Sequence, residues 1–130
     1  MHYTNKLFQY IDISLAATYE VCCNYKLAML FCMYRKFEWD ENKNRINQRK
    51  HGVDFDTASY IFDDPNFLSE QDRIVDGEER WQTIGSVGGF VILMVAHTVR
   101  ESEDIEIIRI ISARPVTTKE RKYYEQAAFR

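Results

Sequence analysis

Ile105-Glu-Ile-Ile-Arg109-Ile-Ile-Ser-Ala-Arg114-Pro-Val-Thr-Thr-Lys-Glu120-Arg-Lys-Tyr-Tyr-Glu125 sets a dense β-branched strand directly against the start of a basic helix. Ile105, Ile107, Ile108, Ile110 and Ile111 are too apolar on both faces for an edge, so this strand belongs inside a sheet. Alternation along the strand predicts Arg109 on the face of Ile105, Ile107 and Ile111, and Arg114 on the face of Ile108 and Ile110. Both can then reach one phosphate only if the strand twists or bulges between them. Pro115 offers no N–H to a ladder, so pairing should stop near Arg114. Thr117 and Glu120 have the spacing of a capping box, which starts a helix running to about Ala128. A guanidinium at the end of a buried strand, beside a helix N-terminus, is a natural anion site.

Working upstream, alternation and β-branched content predict strands over 67–72, 80–87, 90–100 and 105–114. Asp76-Gly77 and Gly88-Gly89 read as hairpin turns, the second with two residues between strong strands, and 101–104 as a polar third turn. Phe37-Glu-Trp-Asp40 is a short strand or extended entry, after which Asp40 caps a helix to about His51 with Gly52 as its stop. Ile46 is that helix's only strong hydrophobe, so it should lie mostly in solvent, anchored in part by Trp39. Asp54 caps a short helix over 55–62, with Val53 and Ala58 as a hydrophobic staple, and Asp63-Asp-Pro-Asn66 ends it by turn chemistry. The predicted class is α+β: an antiparallel four-stranded meander with two N-terminal helices and one C-terminal helix.

With 130 residues, 45% of them hydrophobic, the chain supports one domain with a real core. A formal charge of −3 argues against a uniformly basic nucleic-acid binder. Local sign says more: Lys43, Arg45, Arg49 and Lys50 form one basic run, and Arg109, Arg114, Lys119, Arg121 and Lys122 another, offset by acidic stretches over 54–64 and 72–79. Cys22, Cys23 and Cys32 lack CxxC spacing and lie outside the domain-like part, which fits a reducing cytoplasm better than a disulfide framework or a zinc site. No signal peptide or membrane-length apolar run is read, so the expected location is cytoplasmic. Residues 1–32 carry no clear period. Met33 precedes Tyr34-Arg-Lys-Phe37, where the domain is expected to begin, so 1–32 reads as an upstream extension from a mis-assigned start, or else as an added helix over about 15–33.

Arg109-Ile-Ile-Ser-Ala-Arg114 followed by Glu120-Arg121 and Tyr124 resembles the C-terminal signature of the BrnT family, toxins of bacterial type II toxin–antitoxin pairs. Phe37-Glu-Trp-Asp40, Asn47, Lys50-His-Gly-Val53, Phe55, Ala58, Asp64-Pro65 and Arg80 with Ile84-Gly85 fit the same pattern in the same order. The likeness spans about residues 36–125 and makes 33–130 a toxin domain. It implies a small RelE-like α+β fold and metal-independent RNA endonuclease activity that inhibits translation and growth. It also implies neutralisation by a ribbon-helix-helix antitoxin of the BrnA kind, in a complex that contacts operator DNA through the antitoxin. No cofactor or metal is implied, and no membrane partner.

RNA cleavage without a metal needs a group to take the 2′-hydroxyl proton, cations to hold the phosphate as charge builds, and a proton for the leaving 5′-oxygen. Lys50, His51, Arg80, His97 and Arg114 are the catalytic candidates; Arg109, Arg121 and Tyr124 are the substrate-binding ones. Each has a plainer reading. His97, expected on the face of Val91, Leu93, Val95 and Val99, reads equally as a hydrogen-bonded histidine at the sheet end. Lys50-His51 closes a helix where cations are favoured anyway. Arg80 opens its strand and reads otherwise as solvated, Arg109 as an ion-pair partner for an acid such as Glu120, and Tyr124 as core packing with Ala127 and Ala128. Asp63-Asp64 and Glu78-Glu79 are adjacent pairs whose members point apart, which disfavours a two-metal site. The alternative to a nuclease is a non-catalytic nucleic-acid or protein-binding module, a degenerate toxin among them.

Overall fold

In the computed structural model, residues 2–5 and 34–128 are described. Strands β1 (His2–Asn5) and β2 (Tyr34–Trp39) lead into helices α1 (Glu41–His51) and α2 (Phe55–Ser59) and a 3-10 turn (Tyr60–Asp63). Strands β3 (Leu68–Val75), β4 (Glu78–Val87), β5 (Val91–Ser102) and β6 (Ile105–Pro115) follow, then helix α3 (Thr118–Ala128). The predicted helix starts hold in atomic detail. Asp40 accepts the Asn42 and Lys43 N–H groups, Asp54 accepts that of Thr57, and Thr117 and Glu120 exchange backbone-to-side-chain hydrogen bonds of 3.2 Å in both directions.

The expectation of a four-stranded antiparallel sheet needs correction. Strands β3 to β6 do form that meander, but the sheet is mixed, in the order β1-β2-β6-β5-β4-β3. β2 lies parallel to β6, Tyr34 opposite Ile105 through Glu38 opposite Arg109, and β1 adds antiparallel to β2. This places α1 and α2 after the first strands. Only such a neighbour explains why β6 is apolar on both faces, as parallel pairing in a sheet interior requires. The proposed helix over 15–33 and domain start at 33 fall outside the described residues. At the turns, Asp76 and Gly77 have φ of 52° and 78°, the left-handed pair of a two-residue hairpin. The next hairpin differs from expectation: Val87 pairs with Val91, so Phe90 joins Gly88 and Gly89 in the loop and stands 87% exposed.

One face of the sheet is closed by α2 and the 3-10 turn, while α1 docks alongside β6 where β2 has ended. Phe37, Phe55, Ala58, Ile61, Phe62, Leu93, Val95, Ile108, Ile110 and Ala113 form the core of that face. Backbone and helix approach closely here, since a Cβ at Gly85 would lie 2.8 Å from the Ile61 Cβ and carbonyl oxygen. Ile46 contributes nothing, being 60% exposed, and the residue of α1 that is buried is Asn47, 6% exposed. Its amide donates to the Val53 and Ala113 carbonyls and accepts the Ala113 N–H (2.9, 2.7 and 3.1 Å). Because β2 pairs with β6 only as far as Arg109, Asn47 takes up the ladder's free groups where the neighbouring strand has ended. α3 packs on the opposite face, where Tyr124, Ile84 and Ile92 form a smaller cluster with Leu68, Met94, Val116 and Ala128.

Candidate functional site

The face left open beside α3 is set by a bulge. Along β5 and β6, Thr98 faces Arg109 and His97 faces Ile110, but Ala96 faces Ser112, so Ile111 is an extra residue in β6. Past it the alternation shifts phase. Ala113 joins Ile108 and Ile110 in the core, and Arg114 emerges on the same side as Arg109. The expectation that the two arginines face apart is thereby corrected: a purely alternating strand would separate them, and one inserted residue brings them together.

Three cross-strand rows make up this face. Leu68, Ile84, Met94 and Arg114 form the first, partly beneath α3; Glu70, Gln82, Ala96 and Ser112 the second. Arg73 and Arg80 open the third, which continues through Thr98 and Arg109 to Glu38. Arg80 and Arg109 flank β5, about 10 Å apart at two strand spacings, and Arg114 stands two rows away, about 13 Å along the strand. The floor between them is small and uncharged at Ala96 and Ser112. Arginines from separate stretches of chain therefore share one face of the sheet.

Their electrostatic settings differ. Arg114 grips Glu120 with both terminal nitrogens (2.9 and 3.1 Å), and that guanidinium, ahead of the Thr117 hydrogen bonds, holds the Glu120 carboxyl below its ordinary value. Arg109 approaches Glu78 at 3.7 Å, so the expected pairing of Arg109 with Glu120 is corrected: Glu120 belongs to Arg114, the arginine on its own side of the bulge. Arg100 meets Glu38, which is wholly buried, through contacts of 2.9 and 3.2 Å. Arg80 makes no ion pair among the described residues, and its buried Nε lacks a hydrogen-bond acceptor there. A guanidinium with an unused donor suits an incoming oxyanion.

Lys50 and His51 close α1, one turn past Asn47 and on the same side of the helix. α1 runs from Asp40, next to the Glu38–Arg109 rung, to Asn47 beside Ala113, so its last turn continues toward the Arg114 end of β6. Neither residue forms a hydrogen bond or ion pair with the arginines among the described residues.

Three candidates lie elsewhere. His97 is on the helix-covered face, as its alternation with Val91, Leu93 and Val95 predicts, 2% exposed and edge-on to Phe62. Burial pushes it down to about 4, so its ring is neutral at pH 7, and its Nε2 meets the Thr83 hydroxyl at 2.7 Å. Tyr124 is buried and donates to Asp64, which also accepts the Asn66 and Ser86 N–H groups. Burial opposes ionisation of Asp64, but these hydrogen bonds outweigh it and leave the carboxyl below its ordinary value. Arg121 pairs with Glu125 on the far side of α3. The tyrosine that faces the open side is its neighbour Tyr123, bonded to Glu70, and neither was singled out from sequence. Among the described residues no three His, Cys, Asp or Glu side chains converge as a metal-ligand group would, and no helix is long and apolar enough to cross a membrane.

No curated protein matches the chain. One similar solved structure, the Brucella abortus ribonuclease toxin BrnT at 1.1 Å resolution, is 24% identical with a TM-score of 0.46, the alignment covering 65% of this chain and 97% of that one. Residues 39–120 match the family described as the ribonuclease toxin BrnT of type II toxin–antitoxin systems, a stretch that takes in α1, α2, the 3-10 turn, the four-stranded meander and the start of α3. The chain belongs to the BrnT family of ribonuclease toxins.

Proposed function

We propose that this protein is an active toxin of a type II pair, an endonuclease that cuts RNA without a metal ion on the open face of its sheet and so arrests translation and growth. The observation that carries the reading is the phase shift at Ile111, which brings Arg114 onto the sheet face that Arg80 and Arg109 share. In this mechanism the 2′-oxygen attacks phosphorus and the bond to the 5′-oxygen breaks, leaving a 2′,3′-cyclic phosphate and a 5′-hydroxyl. Arg80 and Arg114 hold the phosphate oxygens as charge builds, Arg109 steers the chain, His51 accepts the 2′-proton and Lys50 supplies one to the leaving oxygen. A cognate ribbon-helix-helix antitoxin neutralises the toxin in the cytoplasm by covering this face, and operator DNA is met only through that complex.

Incubating the purified chain with single-stranded RNA in excess EDTA tests the chemistry. Cyclic-phosphate ends, with cleavage lowered about a hundredfold in Arg114→Ala, are expected. Cleavage that disappears on chelation, or RNA binding without cleavage, overturns it, the latter in favour of a binding module.

A further inference from the structure

Beside Arg114, between α3 and the β3–β4 end of the open face, lies a cleft of about 460 Å³ that none of the steps above uses. Leu68, Ile84 and Met94 form its apolar floor, and α3 contributes Tyr123, Lys119 and Glu120 as a wall. Two polar side chains rise within it as direct cross-strand neighbours, Glu70 on β3 and Gln82 on β4. Glu70 accepts the Tyr123 hydroxyl at 2.8 Å through one oxygen, while the Gln82 side chain makes no hydrogen bond among the described residues. A carboxylate has about four acceptor sites, so most of the capacity of Glu70 is unspent. Glu120, in the wall, holds Arg114 at 2.9 Å, which fixes a phosphate-binding cation at the cleft's mouth.

A flat aromatic wall, an apolar floor and a few convergent polar groups are the makings of a nucleobase pocket. The order of those groups selects among the bases. Guanine presents two adjacent donors, N1–H and the N2 amino group, next to one acceptor, O6. Glu70 offers two acceptors and Gln82 an amide donor beside them. Adenine and cytosine each present a single donor group on that edge, and uracil places its one donor between two acceptors. We propose that this cleft is a guanine subsite, with Tyr123 as the stacking wall and Glu70 and Gln82 reading the Watson–Crick edge. The inference rests on the ribonuclease reading and deepens it, since it sets a guanosine next to the phosphate held by Arg114.

Mononucleotide binding tests the subsite apart from cleavage. With the four nucleoside 3′-monophosphates titrated into the full chain and followed by NMR, guanosine monophosphate should bind at least about tenfold more tightly than the others. Glu70→Gln should erase that preference, and Tyr123→Ala should weaken all four about fivefold or more, with Tyr123→Phe keeping the stacking. Equal affinity for all four bases, or a guanine preference that survives Glu70→Gln, overturns the subsite even where RNA is cut. A guanine preference lost in Glu70→Gln in a chain that cuts no RNA upholds the subsite and removes only the nuclease reading.

Discussion

The two faces of this sheet are built on opposite terms. One is dry: α2 and the 3-10 turn press Phe55, Ile61 and Phe62 onto Leu93, Val95, Ile108 and Ile110, and burial keeps even its histidine neutral at pH 7. The other is wet, with arginines held by partial ion pairs above a floor of Ala96 and Ser112. Both faces draw on the same strands, so the difference arises residue by residue from alternation and, at Ile111, from one break in it. Substitutions in the core of the first face should therefore register as stability, and substitutions of the arginines on the second as chemistry.

The sharpest way to break this contrast is Phe55→Ala, which opens a cavity in the dry core and should cost about 3–5 kcal/mol in denaturant unfolding. Next comes Arg114→Ala, expected to lower RNA cleavage about a hundredfold while its unfolding free energy changes by less than about 1 kcal/mol. A loss of activity that merely tracks a loss of folded protein would erase the distinction. Asn47→Ala leaves buried Ala113 and Val53 backbone groups without partners and should cost about 2–3 kcal/mol, although the residue is polar. The smallest effect is a pH dependence. The folded state depresses His97 from 6.5 to about 4, so between those values the unfolded chain binds the extra proton. Stability should be full above pH 6.5 and decline on acidification toward pH 4, with a shallower slope in His97→Gln across that window.

Local chemistry was legible in the sequence, and non-local pairing was not. Caps at Asp40, Asp54 and Thr117 and the turn at Asp76-Gly77 depend on residues a few positions apart, and they formed as the side chains dictate. The parallel partner of β6 lies 71 residues away in sequence at the Arg35–Glu106 contact, and no turn signal announces it. The bulge is invisible for a related reason: strict alternation put Arg114 with Ile108 and Ile110, and only the register against Ala96 and His97 exposes the inserted residue. Glu70 and Gln82 look like ordinary solvent-facing strand residues until α3 is laid beside them. Of two adjacent tyrosines the likeness to the family drew attention to Tyr124, whereas the helix turns Tyr123 toward the cleft and ties Tyr124 to Asp64.

The hold of Asn47 on Ala113 has a consequence for how the molecule breathes. The Ala113 amide proton is shielded by a side chain belonging to a helix whose surface is otherwise mostly hydrated. Its exchange with solvent deuterium therefore reports whether α1 is docked, and α1 and the last residues of β6 should open as one cooperative unit. Since Lys50 and His51 ride on that helix, the same opening would move the two residues proposed to transfer protons, so slow exchange at one amide becomes a readout of whether they are held in place.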